Sequence, residues 1–355
     1  MKQIKQPTIV ISTPTVILAQ SVIPAKAGIQ GRATFQASSD VALVKYWGKK
    51  DEVLRLPENG SVSLVLSGLD TITTVDFSPD YIKDEITIQG ESEEGESTRV
   101  IKHLDRIRVL AGSKLFAKVV SQNTFPKGTG LSSSGSGFAA LTYAAIAALN
   151  LKLSEKEISI LARQGSGTAC RCACGGIVEW VDGSTSDTSY SHTLFPPSRW
   201  DLRDVIAIVD EGKKLVSSTV GHQTAHTSPF YAVRLQNIKQ KITQVKKTIQ
   251  ERNFADLGEL VEAEALEFHS ILLTSQPSLI AWYPGTVEVM LAVQQLRRQN
   301  IPAYFTINTG FNVHVLTLPE YEQKVVAALN KLSLVKKVLS AKIGNKPQQI
   351  ETHLF

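Results

Sequence analysis

Alternating apolar and polar positions characterise the part of the chain that follows residue 32. The segments DVALVKYWG, GSVSLVLSG and TITTVDFS have the two-residue period of half-buried β-strands, with turn residues between them. The segments LFAKVVSQN, GGIVEWVDG and DVIAIVD have the same character further along the chain. This pattern predicts that the first part of the protein is rich in strands.

Helical periodicity becomes dominant in the second half, where apolar residues recur three and four positions apart. This spacing predicts four helices, at 228–253, 254–275, 284–300 and 318–332. Three further helices are predicted earlier, at 99–112, 138–150 and 154–167. Gly112 is placed to end the first of these three, and Ser154 with Glu157 has the spacing of a capping box.

The order of these elements indicates the fold class. Strands come first and helices later, followed by one strand–turn–strand unit at 303–316, which predicts an α+β protein with two lobes. The composition shifts around FPPSRW, residues 195–200, and this is the best candidate for a domain boundary. We therefore predict two domains, at 33–203 and 204–355.

Residues 1–32 differ from the rest and are predicted to be a disordered N-terminal extension. They have a basic start and an apolar middle, which Pro14 and several Ser and Thr residues interrupt. A signal sequence is the alternative, although no small-residue cleavage site follows the apolar run. The run is also too short and too broken to span a bilayer.

Composition narrows the class of ligand. The chain has 355 residues and a formal net charge of +5. Over this length the positive excess is too small for a nucleic-acid-binding surface, and no run of Lys and Arg is dense enough for a membrane patch. The charge is compatible with an anionic small-molecule substrate.

Cysteine and histidine patterns do not favour a protein-held metal. Cys170, Cys172 and Cys174 lie two residues apart, which on a strand would place all three thiols on one face. Zinc sites favour other gaps and a second ligand cluster, which this sequence lacks. His222 and His226 have helical metal-pair spacing but no accompanying glutamate base. Unpaired, clustered cysteines indicate a reducing, cytoplasmic compartment.

The clearest candidate for a binding element is the glycine- and serine-rich segment 126–137, which leads directly into an apolar helix. Such a loop presents backbone N–H groups and a helix N-terminus to an anion, and its glycines let the backbone approach a phosphate closely. The Walker spacing is absent. A flexible surface loop is the alternative, but the helix that follows at once favours a phosphate-binding loop.

Three further clusters combine cationic and hydroxyl side chains. In VALVKYWGKKD a lysine occupies an apolar strand position, where burial is costly unless the charge is paired or used; an edge strand with solvated lysines is the alternative. The other two clusters are RQGSGTACRCACGG and DEGKKLVSST, each of which could also be a solvated loop. Together the clusters indicate a substrate with several phosphates. The residues concerned are Lys45, Tyr46, Lys49, Ser166, Thr168, Arg171, Lys213, Lys214, Ser218 and Thr219.

These segments together resemble the GHMP kinase superfamily and, within it, the diphosphomevalonate decarboxylases. The motifs occur in the family's order over residues 36–320, and KYWGK and GSGTACR are the most specific. The resemblance implies a GHMP kinase fold, with a ribosomal S5 domain 2-like N-terminal half and a ferredoxin-like C-terminal half. It also implies ATP and Mg²⁺ as cofactors, a phosphorylated mevalonate as substrate, and a homodimer. The implied reaction phosphorylates the 3-hydroxyl and then releases phosphate and CO₂.

The resemblance also implies a role for each matching residue. Lys45 would lie at the reacting centre, and Arg171 would bind the substrate carboxylate. The implied substrate contacts are Tyr46, Lys49, Ser166, Thr168, Ser218 and Thr219, with Thr168 standing where the family usually has serine. The implied ATP contacts are Asn123, Gly130, Ser133, Ser134 and Gly135.

One segment departs from the family pattern. AYFTINTGFNVHVL, residues 303–316, contains NTGFN where the family typically has DAGPN, so that Asn308 replaces the catalytic aspartate. An amide is not a useful base, and a general-base contribution of ~10²–10⁴-fold is expected to be lost. Three hypotheses follow. The first is a decarboxylase of mevalonate 5-diphosphate or 5-phosphate with reduced or rerouted base chemistry. The alternatives are a mevalonate 3-kinase-like enzyme and a catalytically inactive ligand-binding homologue.

Overall fold

The computed structural model describes residues 31–212 and 218–355, although the side chains of Ser218 and Thr219 lie outside the description. Most of the predicted extension at 1–32 also lies outside the described residues. The described strands are β1 (Arg32–Val44), β2 (Lys49–Asp51), β3 (Leu56–Pro57), β4 (Ser61–Ser78), β5 (Glu85–Ile88), β6 (Phe116–Asn123), β7 (Ile177–Asp182), β8 (Ser189–Phe195), β9 (Arg203–Ile208), β10 (Ala303–Thr306), β11 (Val313–Thr317), β12 (Lys337–Ile343) and β13 (Gln348–Gln349). The described helices are α1 (Glu94–Ala111), α2 (Ser133–Ala148), α3 (Glu155–Gly165), α4 (Ala169–Cys172), α5 (Ser218–Thr224), α6 (Tyr231–Glu251), α7 (Phe254–Thr274), α8 (Pro284–Arg298) and α9 (Glu322–Leu329).

One mixed sheet runs through both halves of the chain. Its main path has the order β10-β11-β9-β12-β4-β1-β13, and β4 also pairs with β6 and β7. The pairs are antiparallel except for β5 with β6. Strand β12 lies between β9 and β4, so a strand near the C-terminus joins the two halves of the sheet.

The central pair of strands determines where the site lies. Strands β1 and β4 pair from Arg32 opposite Asp76 to Val44 opposite Val62. Helix α2 packs against both strands, and α6 and α7 also contact β1. Most of β1 is therefore buried, and the chain that leaves its end at Val44 enters the interior rather than solvent.

The buried apolar residues form separate clusters that fix the helices to the sheet. One cluster, around Leu104, joins α1, α2 and α3 to β4 and β6. A second, around Val261, packs α6 and α7 on the central strands, and a third, around Phe305, packs α8 and α9 on β9, β10 and β11. No helix within the described ranges combines the length and apolarity needed to cross a membrane.

The predicted α+β class is confirmed, and most helix positions agree. Gly112 adopts the left-handed conformation at the end of α1, and Ser154 forms the predicted capping box with Glu157. Helix α2 begins at Ser133, within the segment predicted as loop, because its glycines and serines pack in helical conformation against the α4 segment. Strands β8 and β12 were not predicted.

Candidate active site

A cleft of about 550 Å³ opens where the end of β1, the β2–β3 hairpin, the glycine–serine loop and the turn after β10 meet. Lys45 and Asn308 adjoin in its wall, although they are 263 positions apart in the chain. The predicted site residues that line the cleft are Lys45, Tyr46, Lys49, Asn123, Gly130, Ser133, Ser134, Ser166, Thr168, Arg171 and Asn308.

Five predicted residues are not placed in these walls, and two of them, Lys213 and Lys214, lie outside the described residues. Gly135 lies behind the walls, where an added Cβ would come within 2.9 Å of both Cys172 Sγ and Thr168 Oγ1. Its contact is therefore with the α4 segment, so that it shapes the loop through packing. Ser218 and Thr219 begin α5, but their side chains lie outside the described residues.

Lys45 follows β1 directly and is only 3% exposed. Its Nζ donates to the Ala42 carbonyl oxygen at 2.5 Å and to Thr306 Oγ1 at 2.6 Å. The side-chain oxygen of Asn308 lies 3.3 Å from the same Nζ. These three partners are all uncharged, so no carboxylate of the described residues neutralises the lysine by direct contact.

Burial lowers the pKa of Lys45 to about 7; Arg171 also lowers it, whereas Glu264 and Asp40 oppose the shift. Glu264 does not reach Nζ: it accepts a hydrogen bond from the Lys45 backbone N at 2.9 Å. Arg234 binds the Lys45 carbonyl oxygen at 2.9 Å and pairs with Glu264 at 2.5 Å. This buried network holds the backbone of Lys45 in place while its amine remains unpaired with any acid.

Arg171, at the end of α4, is held by a buried ion pair. Its Nε lies 2.7 Å from Asp40 Oδ2, and the two side chains are 4% and 0% exposed. Its Nη1 donates to Ser61 Oγ at 3.0 Å. A guanidinium carries five N–H donors, and Arg171 also lines the cleft, so the fixed fork retains capacity for an anionic ligand such as a carboxylate.

The turn after β10 packs against the glycine–serine loop through backbone contacts. A Cβ on Gly310 would come within 2.4 Å of the Thr129 carbonyl oxygen, and a Cβ on Gly130 within 2.5 Å of Gly310 Cα. Asn312 anchors the turn, because its Oδ1 accepts from the backbone N of Val209 at 2.8 Å and its Nδ2 donates to Thr129 O at 3.3 Å. Turn and loop are therefore fixed relative to each other.

Asn308 is the residue of this turn that faces Lys45. Its Oδ1 also accepts from the Ala42 backbone N at 3.4 Å, and its Nδ2 donates to the Asp40 carbonyl oxygen at 3.4 Å. His269 lies behind the turn, with Nε2 3.0 Å from the carbonyl oxygen of Asn308. Burial, helped by the charge of Lys45, lowers the pKa of His269 to about 3, so this ring is neutral.

Aromatic packing positions the segment after Lys45. The His222 ring lies 4.4 Å from the Tyr46 ring and 4.2 Å from the Trp47 ring, centroid to centroid. Its Nδ1 accepts from the Gly48 backbone N at 3.0 Å. His222 is thus engaged by packing and by the backbone, and His226 lies beyond α5 in a separate 3₁₀ turn. Within the described residues, no group of His, Cys, Asp and Glu side chains could hold a metal ion.

One rim of the cleft is rich in cations. Lys49, Arg55, Arg99 and Lys127 line it, and Lys127 pairs with Glu96. Burial lowers the pKa of Lys49 and of Arg99, and the charge of Arg55 acts in the same direction on both. Mutual repulsion of this kind is relieved by a bound polyanion, so the rim suits phosphate groups.

The glycine–serine loop fits the phosphates of ATP. Gly128 and Gly130 have φ angles of 78° and 94°, and Ser132 has a φ of 56° at the start of α2. No acidic residue occupies the first turn of this helix, so its N-terminal N–H groups can receive an anion. Mg²⁺ commonly takes its ligands from substrate phosphates and water with few protein oxygens, for which serine hydroxyls suffice. Apolar residues for an adenine ring line the same cleft: Val119, Phe138 and Leu141.

The three cysteines do not lie on a strand, the conformation that would have placed all three thiols on one face. Cys170 and Cys172 lie on α4 and Cys174 lies two residues after its end, because a turn at 166–168 leads the chain into a helix. All three thiols are free and buried. Burial raises the pKa of Cys170 to about 12 and raises that of Cys174 further, so neither is a reactive thiolate.

Sequence reasoning missed the charged residues that hold the centre together, namely Asp40, Arg234 and Glu264. A usable signal was present for Glu264, which lies three residues after Val261 and four before Phe268, both fully buried. Helical periodicity therefore placed a carboxylate on the buried face of α7, where it requires a partner. Asp40, in the apolar run of β1, carries the same kind of signal.

Comparisons with known proteins agree with this geometry. The diphosphomevalonate decarboxylase-like N-terminal domain matches residues 37–191, and the mevalonate 5-diphosphate decarboxylase C-terminal domain matches residues 204–353. The diphosphomevalonate decarboxylase of Candida albicans is 31% identical over 91% of this chain and 99% of its own length. The phosphomevalonate decarboxylase of Haloferax volcanii is 32% identical over 84% of this chain and 92% of its own.

Solved structures show the same fold. The complex of MDDEF with MVAPP, AMPPCP and magnesium has a TM-score of 0.84 and 37% identity, covering 90% of this chain and 99% of that one. Mevalonate diphosphate decarboxylase from Staphylococcus aureus gives a TM-score of 0.83 and 33% identity, covering 90% and 98%. The predicted GHMP kinase fold is confirmed, and the chain belongs to the diphosphomevalonate decarboxylase family of the GHMP kinase superfamily.

Proposed function

We propose that the protein catalyses the ATP-dependent decarboxylation of mevalonate 5-diphosphate, or of mevalonate 5-phosphate, to the corresponding isopentenyl phosphate. The observation that carries this proposal is the meeting of buried Lys45, ion-paired Arg171 and the glycine–serine loop in one cleft. That arrangement offers separate places for a nucleotide triphosphate, a carboxylate and a hydroxyl that reacts between them. Phosphoryl transfer depends chiefly on such positioning and charge neutralisation.

Each side chain has a task that its surroundings support. Arg171, oriented by Asp40, would hold the substrate carboxylate so that the C1–C2 bond is aligned for loss of CO₂. Ser166 and Thr168, beside Arg171, would hydrogen-bond the substrate, and Asn123 would help to line the nucleotide side of the cleft. ATP would supply the phosphoryl group that makes the 3-oxygen a leaving group, with Mg²⁺ neutralising phosphate charge.

The 5-phosphates would lie near Tyr46 and Lys49, towards the cationic rim. Arg55 and Arg99 add charge there that sequence reasoning did not anticipate. The names of the two relatives differ in the number of phosphates on the substrate: one is a diphosphomevalonate decarboxylase and the other a phosphomevalonate decarboxylase. Both substrates therefore belong in the test.

Incubation with ATP, Mg²⁺ and mevalonate, its 5-phosphate or its 5-diphosphate, following ADP and CO₂ separately, tests the proposal. We expect equal amounts of ADP and CO₂ from one of the phosphorylated substrates. ADP without CO₂ would identify a mevalonate 3-kinase-like enzyme instead. Neither product, with ATP still bound, would identify a catalytically inactive ligand-binding homologue.

We further propose that the enzyme acts as a homodimer in the cytoplasm, with domains at 33–203 and 204–355. The family resemblance supports the dimer and the boundary, and buried free thiols suit a reducing compartment. Light scattering at micromolar concentration should give twice the chain mass of 38.7 kDa. A mass equal to one chain over that range would remove the dimer from the proposal.

A further inference from the structure

The cleft lacks a carboxylate at the place where the 3-hydroxyl would react. Among the described residues, the acidic side chains that line the cleft are Glu93 and Glu96, at the N-terminus of α1, and Glu96 is paired with Lys127. Asp40 is fully buried and paired with Arg171. The amide of Asn308 occupies the reacting end. A proton released by the hydroxyl therefore needs another acceptor.

We propose that the uncharged amine of Lys45 is the general base that accepts the proton of the substrate's 3-hydroxyl. This inference rests on the proposed function. Its geometric basis is that Lys45 lines the cleft and that, among the described residues, the hydrogen-bond partners of its Nζ are a carbonyl, a hydroxyl and an amide oxygen, those of Ala42, Thr306 and Asn308. An uncharged amine has two N–H donors, enough for the two nearest of these acceptors, Ala42 O and Thr306 Oγ1, and its lone pair is then free for the hydroxyl proton.

The charged groups around Lys45 belong to four elements. Glu264 on α7 accepts a hydrogen bond from the backbone N of Lys45 and is paired with Arg234 on α6. Asp40 on β1 is paired with Arg171 on α4. Both acids are thus neutralised by an arginine, and neither contacts Nζ. His269, also on α7, is neutral.

An ammonium at this position is therefore buried without a direct counter-ion, which is how proteins make lysine a base near neutral pH. The pKa of about 7 for Lys45, lowered chiefly by burial, agrees with this reasoning. A carboxylate at position 308 would reverse it, because a negative charge 3.3 Å from Nζ would hold the proton on the lysine. The amide of Asn308 thus accounts both for the missing carboxylate and for a Lys45 amine that can act as a base.

The proposed step is balanced. The 3-hydroxyl oxygen bonds to the γ-phosphorus of ATP while the bond from that phosphorus to the β,γ-bridging oxygen breaks and ADP leaves. The hydroxyl proton moves to the Lys45 amine, which becomes an ammonium. The C3–O bond and the C1–C2 bond then break, which releases phosphate and CO₂ and leaves the alkene. Lys45 returns its proton to solvent when products depart.

Lysine protonation is measured first, without any substrate. In protein labelled with ¹³C at lysine Cε, the resonance lost in Lys45→Arg identifies Lys45, and Lys346→Arg, at an exposed surface pair, is the matched control. We expect a titration midpoint within about one unit of pH 7, and a midpoint at least about one unit higher in Asn308→Asp. A midpoint near 10 in the unaltered protein would overturn the proposal.

Kinetics then test the role in proton transfer. We expect kcat/KM for ADP formation to rise through an apparent pKa near 7, and Lys45→Arg, which keeps the charge, to lower it by ~10²–10⁴-fold. In the Lys45→Arg/Asn308→Asp double variant the carboxylate supplies a base, and at least a tenfold recovery is expected. At pH 8 this recovery should exceed the gain that Asn308→Asp gives with Lys45 in place, because only the Lys45 background already has a base; equal gains in the two backgrounds would overturn the proposal.

His222 is the rival base, because its ring also lines the cleft. If His222→Gln removed the pH dependence near 7 while Lys45→Arg kept it, the proposal would be wrong. Its failure can be told apart from failure of the proposed function. If ADP is formed but the variants do not respond as expected, only the role of Lys45 as base is wrong. If no ADP is formed from any of the three substrates, both the role of Lys45 and the proposed function are wrong.

Discussion

Replacing Asp40 with asparagine would leave Arg171 as a buried cation without its carboxylate. The two side chains are 0% and 4% exposed, and their closest atoms are 2.7 Å apart. Asparagine preserves the volume of the residue and one oxygen acceptor, so the change removes charge without creating a cavity. Breaking a buried ion pair from one side costs about 3–5 kcal/mol. Because the shape is kept and Ser61 still binds Nη1, we expect about 3 kcal/mol.

The free energy of unfolding, measured by urea titration at pH 7 with circular dichroism, checks this value. Asp201→Asn is the matched control, since Asp201 also pairs with an arginine, Arg203, but is 64% exposed. Exposed pairs contribute at most about 1 kcal/mol, so this variant should unfold almost as the unaltered protein does. The difference between the two variants isolates the effect of burial.

If Asp40→Asn lost no more stability than Asp201→Asn, burial would not make the Asp40–Arg171 pair costly to break. Water reaching the guanidinium would then have to compensate for the missing carboxylate, contrary to the burial of Arg171. A second arm uses Asp40→Leu with Arg171→Met. Replacing both charges with apolar groups should cost less than the single asparagine change, because no unpaired charge remains.

Three further predictions concern the reacting end of the cleft. Asn308→Asp should raise turnover in an ADP-release assay by at least about tenfold at pH 6, where Lys45 is mostly protonated, and by less at pH 8. An equal gain in turnover at the two pH values would show that position 308 does not face the hydroxyl. Gly310→Ala should cost about 1–3 kcal/mol in urea unfolding, because its Cβ would meet the Thr129 carbonyl oxygen at 2.4 Å, whereas Gly95→Ala, with open space around it, should not destabilise. Because the pKa of Lys45 is lowered from 10.5 to about 7, the unfolded chain binds the extra proton between these values and stability should rise with pH by up to about 1.4 kcal/mol per unit. Lys45→Met should remove that slope between pH 7 and 9, and a slope unchanged by this variant would contradict the shift.

Local sequence patterns predicted the elements whose stability is local. Helices α6, α7 and α8 have long amphipathic repeats, and each was predicted within a few residues of its ends. Strand β12 was missed because KVLSAKI has only one buried residue, Ala341, and acquires its place only by pairing with β9 and β4. Such a strand is defined by distant partners, which a local pattern does not encode.

The residues of the candidate site also divide into those that a local sequence pattern predicted and those that it did not. Lys45 and Arg171 were found because each lies in a short contiguous motif with a recognisable chemistry. Asp40 and Glu264 were missed because their function is to pair with residues more than 30 positions away or on another helix. The unusual environment of Lys45 depends on which acids are already neutralised by arginines, and only the folded structure supplies that information.

The turn at 308–312 shows how one charge can change while a site keeps its shape. Asn312 anchors the turn to β9, and Phe311 is 2% exposed and stacks on Tyr283 with centroids 4.4 Å apart. Neither contact involves the side chain of Asn308, so the turn keeps both anchors when residue 308 changes, although the Asn308 amide also bonds the backbone at Ala42 and Asp40 at 3.4 Å. The amide can therefore replace a carboxylate without moving the backbone, and its effect falls on the charge at Lys45. It follows that Asn308→Asp should alter the Lys45 titration and the pH dependence of turnover more than it alters stability.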